Sequence, residues 1–217
     1  IRMFGSTGYI YCTRVVESSP QPPIVLKTKR ENFSSFSIGD SYPREDEGYR
    51  SSGVYCTYAS DPSIIYSVPT GNGKGIAPET RDGDHSTVLF AQKGMRPKSI
   101  SIYFYDDGTT GSHLSVLLCP AGVFYPAIGL ETYQNPFYFV YRKQNGDWIV
   151  SSIERSTGRQ KLEIVFDYSY NVYRFYINGN EVYHCISTDW YCESCWRIYT
   201  NYFIIDEIII EYWDYNE

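Results

Sequence analysis

The stretch Tyr173-Arg174-Phe175-Tyr176-Ile177-Asn178-Gly179-Asn180-Glu181-Val182 decides the fold. Aromatic and β-branched residues alternate up to Ile177, as they do in a strand with one buried face. Asn178-Gly179 then supplies the two residues that best tolerate the positive φ angles of a type I′ turn. A second strand-like run follows, so Val172–Ile177 is predicted to pair with Asn180–Cys185 as a hairpin. Asn145-Gly146 repeats the pattern and predicts a second hairpin, Phe137–Lys143 against Asp147–Ile153.

Moving outward, the same period of two continues. Ser99 to Tyr105 places Ile100, Ile102 and Phe104 on one face. Leu114, Val116 and Leu118 form another such set, and Leu162, Ile164 and Phe166 a third. Near the end, Ile204, Ile208, Ile210 and Tyr212 are expected to face one way, with Glu207 and Glu211 facing the other. Helix-period stretches are absent, so the chain is expected to be all-β. The first third is more irregular: Pro20, Pro22 and Pro23 interrupt it, Tyr42 to Gly48 has loop chemistry, and residues 69–87 are rich in turn residues. Lys27, Lys29 and Arg30, beside Glu31, are read as a solvated loop. The expected organisation is a strand-like extension over residues 1–19 and a single sandwich domain over 20–217.

From about His85 to Trp213 the order of features resembles a laminin-G-like or concanavalin-like jelly roll. Arg96 to Tyr105 is similar to the strand that opens the central sheet of such domains, Tyr173 to Val182 to their late hairpin, and Ile205 to Trp213 to their closing strand. The crowding of Cys185, Cys192 and Cys195 is not a feature of that family. The resemblance implies a two-sheet antiparallel jelly-roll sandwich. It also implies a carbohydrate-binding, lectin-like role, with calcium at a loop rim or sugar on a concave sheet face bearing exposed Tyr or Trp.

Bulk properties exclude several classes. The net charge is −6 and the sequence pI about 5.1, and the only dense basic run, Lys27, Lys29 and Arg30, is interrupted by Glu31, which argues against a nucleic-acid partner. No apolar run approaches the ~20 residues of a membrane-spanning helix. Six cysteines, Cys12, Cys56, Cys119, Cys185, Cys192 and Cys195, are disulfide candidates, and Asn32-Phe33-Ser34 is a glycosylation sequon at Asn32. Cys192-x-x-Cys195 could also serve zinc or redox chemistry, but its aromatic flanks carry no helix signal and favour disulfides. Together these features place the chain outside the cell or at the cell surface.

A catalytic centre is not evident. Retaining glycosidases need carboxyls ~5–5.5 Å apart and inverting ones ~6.5–9.5 Å. Glu207 and Glu211, like Glu163 and Asp167, are four apart on a strand, about 13 Å, and Asp206 is expected on the opposite face. Gly71-Asn72-Gly73-Lys74-Gly75 lacks the following helix of a phosphate loop, and His85, His113 and His184 accompany no nucleophile elbow. No cofactor is expected beyond calcium, for which the candidate ligands are Asp82, Asp84, Asp106 and Asp107 in two turning segments. Strands such as Phe137-Tyr138-Phe139 carry aromatic rings on both faces. That surplus makes a non-catalytic structural or adhesive protein the leading expectation. It would act through contact with other subunits, or assemble into homo-oligomers or filaments by donating the segment Ile1 to Glu17. A lectin is the alternative and a glycoside hydrolase the third reading.

Overall fold

The computed structural model describes residues 25–43, 54–59, 62–82, 84–91, 96–111, 113–120, 126–186 and 196–214. Two antiparallel sheets account for them. One has eight strands: β1 (Val25–Glu31), β3 (Ser63–Ser67), β4 (Lys74–Pro78), β6 (Arg96–Asp106), β11 (Gly158–Asp167), β12 (Val172–Ile177), β13 (Asn180–Ile186) and β15 (Ile204–Asp214). The other has seven: β2 (Val54–Ala59), β5 (Thr87–Ala91), β7 (Ser115–Pro120), β8 (Ala127–Glu131), β9 (Tyr138–Arg142), β10 (Trp148–Glu154) and β14 (Trp196–Thr200). The first runs β13-β12-β11-β6-β15-β4-β3, with β1 also laid along β15; the second runs β10-β9-β8-β7-β14-β5-β2. Neighbours distant in sequence, such as β6 beside β15 and β7 beside β14, give the crossed connections of a jelly roll.

The alternation read from the sequence builds the core. Ile100, Ile102, Phe104, Leu162, Ile164 and Phe175 point inward from the eight-stranded sheet and are fully buried. They meet Val116, Leu118, Ile128, Leu130, Phe139 and Ile198 from the other sheet. Phe104 and Phe139 join the layers edge to face, ring centroids 6.4 Å apart. Each such side chain contributes on the order of 1.5–3 kcal/mol through burial.

Both predicted hairpins form, with different turns. At Asn178-Gly179 both residues have positive φ, 49° and 82°, as a type I′ turn requires. At Asn145-Gly146 only Gly146 does, with φ 96°. There the Gly146 amide donates to the Lys143 carbonyl at 2.9 Å, and the Lys143 amide to the Asp147 carbonyl at 2.9 Å. This three-residue loop is a type I turn closed by a left-handed glycine, the next most common hairpin solution.

Two readings of strand faces are corrected. The pairing of β15 with β6 jumps from Ile205↔Phe104 to Glu207↔Tyr103, so Asp206 is an extra, bulged residue. The bulge reverses the parity. Ile205, not Ile204, shares the core face with Ile208 and Ile210, while Ile204 packs with Val68 and Ala77 outside it. Asp206 and Glu207 therefore both reach Arg159, whose Nε donates to Asp206 at 2.9 Å and whose Nη2 donates to Glu207 at 2.7 Å. They are buried, not solvent-facing. Burial works against the charge of Glu207, but Arg30 and Arg159 together hold its carboxyl below the usual range. The basic run is not a loop either: Lys27, Lys29 and Arg30 lie in β1, paired with β15, and Arg30 bonds Glu207.

Several outward aromatic rings are covered from within the chain. Arg159 lies over Tyr103 at 4.2 Å from the ring centroid, and Arg81 over Tyr202 at 4.5 Å. Cation–π contact thus covers part of the aromatic surplus that alternation leaves outside. The extension over residues 1–19 lies outside the described residues.

Candidate functional site

The outer face of the seven-stranded sheet carries the candidate site, and strand register builds it row by row. In the first row Glu131 on β8 opposes Ser115 on β7, whose carbonyl accepts from the amide of Asn201 just past β14. In the second, about 6.7 Å further along, Gly129 opposes Leu117, and Leu117 opposes Tyr199. In the third, Trp148 on β10 opposes Arg142 on β9, Arg142 opposes Ala127, and Cys119 opposes Arg197.

Residue size gives this face its relief. Small residues, Ala127, Gly129, Ser115 and Cys119, occupy β8 and β7 in the middle. Trp148 and Arg142 rise on one side, Tyr199 and Arg197 on the other. The result is a trough of about 510 Å³, with Asp84, His113 and Tyr133 at its margin. Gly129 is required there: a Cβ would stand 2.0 Å from the Val116 carbonyl oxygen and 2.6 Å from Leu117 Cδ2.

Burial tunes the polar groups. Glu131 is 7% exposed, and burial pushes its carboxyl up to about 7 against the pull of the Ser115 hydroxyl. The Ser115 amide and hydroxyl both donate to Asn201 Oδ1, fixing that side chain across the row. Arg142 donates from Nε to the Gly146 carbonyl at 2.9 Å and lies over the Trp148 ring at 5.2 Å. Its pKa is lowered by burial. The Cys119 thiol is raised to about 11 by burial, partly offset by Arg197. Arg197 Nε is buried and has no hydrogen-bond partner among the described residues.

The four candidate calcium ligands are differently employed. Asp106 is fully buried and clamped by Arg155, from Nε at 2.7 Å and Nη2 at 2.6 Å. Asp107 accepts from the Thr109 amide at 2.9 Å and the Tyr202 hydroxyl at 3.3 Å. Asp82 accepts from the Asp84 amide and pairs with His85, each at 3.0 Å, and Asp84 reaches the trough margin. Among the described residues no three His, Cys, Asp or Glu side chains gather to hold a metal ion. Cys119 and Cys185, two of the six disulfide candidates, are free buried thiols. Cys12, Cys192 and Cys195 lie outside the described residues, and Cys56 falls in β2. Asn32, the sequon asparagine, is half-buried in the turn after β1, where its Oδ1 accepts from the Ser34 amide at 3.2 Å.

Sequence reasoning named the kind of surface, a sheet face with Tyr or Trp, but not Glu131, Arg142, Trp148, Arg197, Tyr199 or Asn201. The available signal was Ala127-Ile128-Gly129-Leu130-Glu131, in which large inward residues alternate with small outward ones. Such a strand leaves a hollow on its outer face.

No family model matches the chain, and no curated protein matches it either. Solved structures do. The apo Crh5 transglycosylase is 9% identical over 88% of this chain and 88% of that one, with a TM-score of 0.48. Domain 4 of AbnA, a GH43 extracellular arabinanase from Geobacillus stearothermophilus in complex with arabinotriose, is 17% identical over 88% of this chain and 94% of that one, TM-score 0.46. The metal-free exoplasmic/lumenal domain of VIP36 is 10% identical over 82% and 97%, TM-score 0.48. The class is defined by the two sheets themselves: an all-β, antiparallel two-sheet jelly-roll sandwich.

Proposed function

We propose that the chain is an extracellular carbohydrate-binding, lectin-like module and that the trough over β7 and β8 holds the saccharide. One observation carries this reading: Trp148 and Tyr199 flank a floor of small residues in which Ser115, Asn201 and Glu131 are set in register. A sugar ring has an apolar C–H face and a rim of hydroxyls. Flat aromatic rings suit the first, and fixed donors and acceptors suit the second. The assembly reading depends on residues 1–19, which lie outside the described residues. The trough stands on described side chains.

Glu131 gives a second reading some support, since a buried carboxyl titrating near 7 has the character of a general acid. Glycoside hydrolysis needs a second carboxyl across the scissile bond, and Asp84, exposed on a separate loop, is the other carboxyl among the trough residues. Binding without turnover is therefore the proposal, and calcium is not required for it.

A glycan array read with calcium and with chelator tests both points. The expected result is a bound glycan class retained in chelator, with Trp148→Ala and Tyr199→Ala each losing it while unfolding remains cooperative. An array with no bound glycan, or binding indifferent to both substitutions, overturns the proposal. Release of reducing ends from the bound glycan would establish the hydrolase in its place.

A further inference from the structure

We infer that the trough is selective for an anionic saccharide, whose carboxylate or sulfate group pairs with Arg197. This rests on the carbohydrate reading of the same trough and deepens it to a ligand class. The starting point is how other described arginines are paired. Arg155 is clamped on Asp106, Arg159 on Asp206 and Glu207, Arg30 on Glu207, and Arg174 on Glu181. Arg142 donates to a backbone carbonyl and lies over Trp148. Arg197 stands apart: it lines the trough, and its buried Nε has no hydrogen-bond acceptor among the described residues. A guanidinium is always charged and has no neutral form to fall back on. A buried donor of that kind calls for an acceptor, and the described residues supply none.

The neighbours show why none is supplied. Across β7, Arg197 is opposed by Cys119, a neutral thiol whose hydrogen goes to the Arg197 carbonyl at 3.7 Å. Next in that row comes Ala127, then Arg142, a second cation. Glu131, the buried carboxyl of the trough, lies at the far end of β8, four residues from Ala127, a strand distance of about 13 Å. Leu117 and Gly129 lie in the row between. The site is therefore polarised along the strands, with two guanidiniums at one end and Glu131, Ser115 and Asn201 at the other.

A ligand that satisfies both ends carries an anionic group at the arginine end and hydroxyls at the other, with an apolar ring face over Leu117 and Gly129. A sugar with a carboxylate or a sulfate ester has this pattern. The planar fork of a guanidinium meets the paired oxygens of either group bidentately.

The test is a Trp-fluorescence titration of the whole chain at fixed ionic strength. The ligands are a short polyuronate, a sulfated oligosaccharide and a neutral oligosaccharide of matched length. At least one anionic ligand is expected to bind roughly 10-fold or more tightly than the neutral one, the scale of one charge-assisted hydrogen-bonded pair. Which of the two binds tells carboxylate from sulfate. Arg197→Met is expected to abolish that preference, so that anionic and neutral ligands bind alike. Arg197→Lys, which keeps charge without the fork and does not depend on the Met variant folding, is expected to retain only part of it. Neutral and anionic ligands binding the unsubstituted chain alike, or a preference that survives Arg197→Met, overturns the inference while the carbohydrate reading stands. If no saccharide binds, both fall together.

Discussion

Replacing Glu131 by Gln should make the protein more stable at neutral and alkaline pH and leave it nearly unchanged in acid. The carboxyl sits on β8 with 7% exposure. Burial lifts its pKa from the ordinary 4.5 to about 7. A group raised in this way binds its proton more tightly in the folded protein than in the unfolded chain. Its contribution is therefore full below about pH 4.5 and disappears as pH climbs through about 7. A displacement of that size is worth up to about 3 kcal/mol at about 1.4 kcal/mol for each tenfold change in proton affinity. Glutamine keeps the shape and remains neutral throughout. Urea unfolding followed by Trp fluorescence at pH 4.5 and pH 8 should show the two proteins within about 0.5 kcal/mol in acid. At pH 8 the variant should lead by about 2–3 kcal/mol. An advantage that is the same at both pH values would refute the assignment of the raised carboxyl to Glu131.

Gly129→Ala should destabilise the fold by roughly 2 kcal/mol or more, because the new methyl meets the Val116 carbonyl and overpacking of this kind is not relieved by a rotamer change; chemical unfolding measures it. Asp106→Ala leaves Arg155 buried without its carboxylate and should cost about 3–5 kcal/mol, whereas Asp82→Ala at an exposed turn should cost less than about 1 kcal/mol. Cys119 and Cys185 should resist alkylation in the native protein at pH 8 and react fully in denaturant without a reductant, as free buried thiols raised to about 11 must. Peptide mapping by mass spectrometry reads this directly, and a need for reductant at either residue would contradict it.

Periodicity and turn chemistry were enough to find the strands around Ile100, Val116, Leu162 and Phe175, because a sheet with one dry face writes its orientation into every second residue. They were not enough at β15. One bulged residue, Asp206, inverts the in–out assignment of Ile204 and Ile205, and the alternation on either side looks unbroken. The basic residues of β1 read as loop because their partners, β15 and Glu207, are almost the whole chain away. The trough was hidden for a similar reason. Each strand gives it two or three outward residues of ordinary type, and only the register of β14 against β7 against β8 brings Tyr199, Leu117 and Gly129 into one row.

That register also divides the labour within each strand. On β7, β8 and β14 the inward letters, Val116, Leu118, Ile128, Leu130 and Ile198, hold the two layers together. The outward letters between them shape the trough. With Gly129 as the exception, the outward set can be rewritten while the inward set is kept. The sandwich is then a chassis for selection: a library varied at 115, 117, 131, 142, 148, 197 and 199 would explore ligand preference on a scaffold whose interior never changes.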